Sequence, residues 1–334
     1  MSPAHVIADR LPPLELRRAL DAATTGVSVR ELRQAAVRLS EGYRSSTATG
    51  RRSVGRWSSV DYLAYAATRM PAIYRAAAAV FRELRARCPE LRVESVLDIG
   101  AGPATCLWAA WTEFDALVRV MLVEPDPAMV ALGKRLTEGT ELTQRVETTW
   151  QTTDVSGLAA APAAHDLVVA SYVLAELDAA QRRRVIEEAW VGARGAVALV
   201  EPGSVQGYQH IMEARDRLLG LGARIVAPCP HGDACPMPVG DWCHFGVRLN
   251  RTAMQKRLKG GVLAYEDEKY AYVLATRDAG APAPSRVIRR PKTAPGRVTL
   301  HLCGADGLFQ ETLTRSRRDA YRMARQARWG DPWR

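Results

Sequence analysis

The chain has 334 residues, 47% of them hydrophobic, and its 46 Lys/Arg against 36 Asp/Glu give a formal net charge of +10. That apolar content supplies a core for one large domain or two moderate ones, so a folded, soluble protein is expected. No run of about 18 apolar residues appears, and Met1-Ser2-Pro3-Ala4 lacks the basic-then-apolar order of a secretory signal, so a cytoplasmic protein with no membrane contact is expected.

Residues 1–90 read as a helical domain, because 14–22, 29–42, 59–68 and 71–87 all place apolar residues at three- and four-residue spacing. Ser58 or Ser59 can cap the third segment, and Pro71 suits the first turn of the fourth. Residues 44–56 are basic and rich in Gly, Ser and Thr, which predicts a loop. From residue 94 the pattern alternates. Short apolar runs at 95–99, 118–123, 166–170 and 196–200 are separated by helical segments at 105–114, 128–136 and 181–193, which predicts a parallel sheet covered on both faces. A helix is expected over 202–221, an irregular stretch over 229–243, and strands over 271–276 and 297–303.

In Val96-Leu97-Asp98-Ile99-Gly100-Ala101-Gly102-Pro103-Ala104-Thr105 a buried strand enters a glycine turn and then a helix. Gly100 and Gly102 permit a tight turn and close backbone approach, so the helix can present its N–H groups to a ligand. Glu124 follows Gly102 by 22 residues at the end of the next strand, where a carboxylate can accept from both ribose hydroxyls, and Asp126 can share that role. A dinucleotide site would want a third glycine where Thr105 stands, and Pro103 fills the space of a pyrophosphate. The pattern resembles class I methyltransferases instead. That resemblance implies S-adenosylmethionine bound by Asp98, Gly100, Ala101, Gly102, Glu124 and Pro125, with Asp154 touching adenine and Ser171 in the fourth-strand segment beside the transferred methyl. No Asn-Pro-Pro-Tyr tetrapeptide and no nucleophilic Cys follows that strand, so the catalytic residue is unassigned. Glu176 can act as a base or cap the next helix, and the cap is the expectation.

Cys229, Cys235 and Cys243 are spaced Cys-x5-Cys-x7-Cys, and Cys303 closes the last predicted strand. Four reduced thiols suit tetrahedral zinc or an iron-sulfur cluster, and the wide intervals lean toward the cluster. His231 and His244 are expected to make ordinary loop hydrogen bonds. Cys88 and Cys106 fall on helices and are expected in the core.

The basic charge sits at the two ends. Residues 1–97 carry 16 Lys/Arg against 9 Asp/Glu, residues 98–284 carry 18 against 23, and residues 285–334 carry 12 against 4. In the last segment Arg315, Arg318, Arg322, Arg325 and Arg328 fall on one helical face, interleaved with Tyr321, Trp329 and Trp333. Such a stripe can pair with phosphates while the rings stack on unpaired bases.

Together the glycine motif, the cysteine set and the tail ending in Trp329-Gly330-Asp331 resemble the methyltransferase-like proteins of the small ribosomal subunit, a family with a mitochondrial assembly factor and bacterial relatives. Tyr62-Leu63-Ala64-Tyr65, Arg69-Met70-Pro71-Ala72, Glu201-Pro202-Gly203 and residues 265–272 support the match. The resemblance implies an α/β fold, a class I methyltransferase Rossmann-like sheet. Its domains would be helical (1–90), S-adenosylmethionine-binding (91–280, with a cysteine-rich metal-binding loop at 226–248) and a final strand with a basic tail (281–334). It further implies a 4Fe-4S cluster on Cys229, Cys235, Cys243 and Cys303, with zinc as the alternative. It also implies binding to small-subunit ribosomal RNA, by a monomer when off the ribosome. Methylation of that RNA is the expected activity. A methyltransferase of small metabolites, lidded by the helical domain, and a non-catalytic ribosome-binding scaffold are the alternatives.

Overall fold

The computed structural model describes residues 11–45, 57–155, 157, 164–260, 263–278 and 280–334. The loop expected over 44–56 lies, from residue 46 on, outside the described residues, as do residues 1–4.

Four helices come first: α1 (Leu14–Thr24), α2 (Val29–Ser45), α3 (Ser59–Thr68) and α4 (Met70–Arg87). Ser58 starts α3 through a reciprocal box. Its side chain accepts from the Asp61 N–H, and the Asp61 carboxylate accepts from the Ser58 N–H. Pro71 sits in the first turn of α4, where its missing N–H leaves no bond unmade.

The alternating region follows as β1 (Ser95–Ile99), α5 (Thr105–Glu113), β2 (Arg119–Val123), α6 (Pro127–Thr137), α7 (Glu141–Arg145), β3 (Glu147–Gln151), β4 (His165–Ser171), α8 (Ala179–Gly192) and β5 (Ala193–Pro202). It ends with α9 (Val205–Gly220), β6 (Arg224–Ala227), β7 (Phe245–Asn250), α10 (Ala253–Lys259) and β8 (Tyr265–Thr276). The sheet order is β3-β2-β1-β4-β5-β8-β6, with β7 also on β8; β1 to β5 are parallel, and β8 runs antiparallel to β5, β6 and β7. This is a Rossmann-like α/β sheet, the fold class expected from the sequence. Successive strand residues feed opposite layers: Val96, Leu167, Val169 and Ala198 pack on the face that α4 and α5 cover, whereas Leu97, Val168, Ala170 and Val197 pack with α8 and α9. Two covered faces explain why the strands read as continuous apolar runs.

The edge beyond β8 determines where the cysteines go. β6 pairs with residues 274–276 of β8 and β7 with residues 265–270, so the chain leaves the edge opposite Ala271, Tyr272 and Val273. Residues 228–244 form the excursion, without helix or strand.

The remaining strands are β9 (Ser285–Val287), β10 (Lys292–Ala294), β11 (Arg297–Gly304), β12 (Gly307–Thr314) and β13 (Pro332–Trp333), all antiparallel in a second sheet of order β10-β11-β9-β13 with β12 on β11. α11 (Arg318–Gln326) lies against this sheet through Ala320, Tyr321 and Ala324. The continuous basic helix expected toward the C-terminus is corrected here. Residues 311–314 belong to β12, Arg315 sits in a 3₁₀ turn, and Arg328 lies past the end of α11. Pairing of β12 with β11 holds the chain extended as far as Thr314, so α11 starts only at Arg318. Among the described residues no helix is long and apolar enough to cross a membrane.

Candidate functional site

β1 ends against a glycine elbow. Gly100 (φ 74°) and Gly102 (φ 54°) occupy the left-handed region, and a side chain at Gly100 would lie 2.6 Å from Val173. Gly100 and Ala101 donate their N–H groups to the Val123 carbonyl, which ties the elbow to the end of β2. Just beyond β2, the Glu124 carboxylate accepts from Gly102 N at 2.8 Å and Asp126 N at 3.1 Å.

A cavity of about 450 Å³ opens over this junction. Asp98, Gly100, Ala101, Gly102, Glu124, Pro125, Asp154 and Ser171 all line it. Asp126 does not: it caps α6, accepting from Ala128 N at 2.9 Å, and accepts from the Tyr62 hydroxyl at 2.6 Å. Its carboxylate therefore joins α3 to the start of α6. Glu176 also departs from expectation, since Asp178 caps α8 in a box with Gln181 while Glu176 lines the cavity.

Sequence reasoning missed Tyr65, Ile73 and Tyr172, which wall the same cavity. Tyr172 holds a left-handed backbone (φ 60°), rare for a bulky residue, and donates to Glu268 Oε1 at 2.9 Å. Arg69 reaches the same oxygen at 3.4 Å. Strained non-glycine geometry of this kind concentrates at binding and catalytic sites.

Asp98 is buried, and neither of its carboxyl oxygens has a hydrogen-bond partner among the described residues. Burial, and then the nearby Glu124 charge, pushes its pKa up to about 8. An unmatched carboxyl facing a cavity is suited to a cationic ligand group.

A second, smaller cavity of about 40 Å³ is lined by Cys229, Cys235, Cys243 and Cys303. Three of them come from the 228–244 excursion. Cys303 arrives on β11, where pairing with β9 sets it opposite Arg286. Among the described residues no group of three or more His, Cys, Asp or Glu side chains is arranged to hold a metal ion. Burial raises the Cys229 thiol, burial and the other cysteines raise Cys243 well above the ordinary value, and Cys303 is pushed up to about 12. The Tyr208 hydroxyl lies 3.3 Å from Cys235 Sγ, and His231 Nε2 lies 3.9 Å from Cys303 Sγ. His244 stacks on Trp242 with ring centroids 5.2 Å apart. Cys88 and Cys106 are buried, at the end of α4 and on α5.

Two buried arginines in the smaller cavity carried no sequence signal. Arg215 on α9 donates to the His231 and Asp233 carbonyls, and Arg286 on β9 donates to the Pro228 and Gly330 carbonyls and pairs with Glu83 at 2.6 Å. In sequence each is one arginine among many.

Arg315, Arg318, Arg322, Arg325 and Arg328 are all exposed, although only the middle three lie on α11. Trp333, expected to stack on bases, is buried instead and donates its indole N–H to Glu311 at 2.8 Å.

A family model described as mitochondrial small ribosomal subunit Rsm22 matches residues 59–334. The chain is 28% identical over 311 residues to the mitochondrial ribosome assembly protein METTL17 of Homo sapiens, covering 84% of this chain and 65% of that protein. It is 24% identical over 327 residues to the mitochondrial Rsm22-cox11 tandem protein 2 of Schizosaccharomyces pombe, covering 80% of this chain and 42% of that one. The chain thus spans less than two thirds of the length of these relatives. Among solved structures, the magnesium protoporphyrin IX methyltransferase of Synechocystis PCC 6803 with bound S-adenosylmethionine aligns at a TM-score of 0.41 and 13% identity, over 79% of this chain and 97% of that one. The family and these two relatives are mitochondrial, which overturns the cytoplasmic location expected from the lack of a long apolar run and of a secretory signal.

Proposed function

The chain belongs to the mitochondrial small ribosomal subunit Rsm22 family, and from that premise we propose that it binds S-adenosylmethionine and acts on small-subunit ribosomal RNA during assembly of the subunit. The observation that carries this reading is the 450 Å³ cavity where the glycine elbow, Glu124 and the orphaned Asp98 carboxyl meet. When bound, the cofactor would supply a methyl group on a positively charged sulfonium. Glu124 would accept from the ribose hydroxyls, the backbone N–H groups opening α5 would face the ligand, and Asp154 would lie toward the adenine. Tyr65, Ile73 and Tyr172 would shield the acceptor from water, and Glu176 would be the carboxylate that takes a proton from it. Orientation of the acceptor would account for most of the rate, because the sulfonium is already electrophilic.

The four cysteines are proposed to hold a metal centre, with a 4Fe-4S cluster favoured over zinc. Four thiols lining one void support a thiolate-held metal centre, and the wide spacing of the cysteines along the chain favours the cluster. The exposed arginines of α11 and its flanks support contact with RNA phosphates.

Crosslinking in intact mitochondria followed by sequencing of the bound RNA tests the reading. Enrichment of small-subunit ribosomal RNA is the expected result. Recovery of no RNA, together with tight binding of an apolar metabolite, would favour the small-molecule alternative, for which Tyr65 and Ile73 already form an apolar wall.

A further inference from the structure

The small cavity holds positive charge that its protein surroundings do not balance. Arg215 and Arg286 both line it, with side chains 2% and 1% exposed. Arg286 is fully matched. Its Nε and Nη1 donate to the Pro228 and Gly330 carbonyls, and its Nη2 pairs with the Glu83 carboxylate, itself largely shielded.

Arg215 is not matched in this way. Its one carboxylate partner among the described residues, Asp216, is 69% exposed, so solvent screens that pair. The His231 and Asp233 carbonyls take Nη2 but carry only partial charge, and Nε is buried with no partner among the described residues. A buried guanidinium remains charged at any ordinary pH, so a buried cation without a buried counter-ion is unfavourable unless the cavity supplies one. Four thiolates outnumber the charge of a divalent ion or of a cluster core, so a metal centre on these four cysteines is net anionic.

We propose that Arg215 is the charge-balancing and positioning residue of the four-cysteine site, compensating the negative metal–thiolate centre and tethering the loop segment between Cys229 and Cys235. The inference rests on the four-cysteine metal reading given above. Arg286 serves a different purpose, fastening β9 to the start of the excursion and to the chain before β13. A donor beside a metal-bound sulfur also steadies that ligand, and loss of such outer partners typically costs roughly 10–100-fold in metal affinity.

Full-length protein purified anaerobically as wild type, Arg215→Lys and Arg215→Gln provides the test, with iron, zinc and acid-labile sulfide measured before and after chelator challenge. Wild type and Arg215→Lys should retain metal, and Arg215→Gln should lose affinity about 10–100-fold. Melting curves separate charge from mere tethering. With metal bound, Arg215→Gln should melt below wild type; stripped of metal, it should melt no lower, because the unbalanced cation is gone. Equal metal retention in the Gln variant and wild type, or an equal fall in melting temperature with and without metal, would overturn the role of Arg215. Wild-type protein that takes up neither iron nor zinc would overturn the metal reading itself.

Discussion

Two buried carboxyls, Asp98 and Glu201, determine much of the chemistry at the scale of single residues. Burial pushes both to about 8, from ordinary values of 3.8 and 4.5, and Glu201 is partly offset by the Leu174 N–H that it accepts at 2.8 Å. Both stay protonated in the folded chain at neutral pH, whereas the unfolded chain releases these protons above about pH 4. Their contribution to stability is therefore complete below about pH 4 and is lost as the pH climbs through about 8. The melting temperature should fall between pH 5 and 8, and Asp98→Asn or Glu201→Gln should flatten that fall; a profile unchanged in both variants would contradict the assignment. A cationic ligand beside Asp98 favours the ionised carboxyl. Cofactor binding should consequently release a proton and tighten as pH rises toward 8, which calorimetry in buffers of different ionisation enthalpy would detect.

The elements show why some parts of the molecule could be foreseen. The glycine elbow was legible because strand, turn and helix follow one another directly, with Glu124 at the end of the next strand. The early helices were legible through their period and through Ser58 and Pro71. β3 was not, because Glu-Thr-Thr-Trp-Gln at a sheet edge alternates exposed and half-buried residues and carries little apolar signal. β9, β10 and β13 are too short to register as patterns. The walls of the large cavity were also hidden, since Tyr65 and Ile73 reach it from α3 and α4 by tertiary packing alone. The small sheet depends on few apolar side chains: Val287, Val298, Leu300, Leu302, Leu313 and Trp333 with Ala324 of α11. Trp333→Ala should cost about 3–5 kcal/mol by denaturant titration. Because β9 and β11 deliver Cys303, the same variant should lose metal retention, whereas unimpaired retention would separate the sheet from the cysteine site.

At the scale of the whole molecule, the acidic middle segment supplies most of the large cavity's lining and the basic final segment carries the exposed arginines. On the proposed reading, polyanion binding would fall to the small sheet and α11. Replacing Arg318, Arg322 and Arg325 together with Ala should weaken RNA binding and flatten the slope of log K against log salt by about 2–3, roughly 0.7–0.9 for each phosphate no longer neutralised. An unchanged slope would move the RNA interface elsewhere. Every role assigned to the large cavity depends on a ligand that carries both a ribose and a positive charge. Titration calorimetry of folded, cofactor-stripped protein with S-adenosylmethionine addresses this most directly: saturable one-to-one binding that Glu124→Ala abolishes is the expected result, and wild-type protein giving no heat with that compound or with S-adenosylhomocysteine would contradict it.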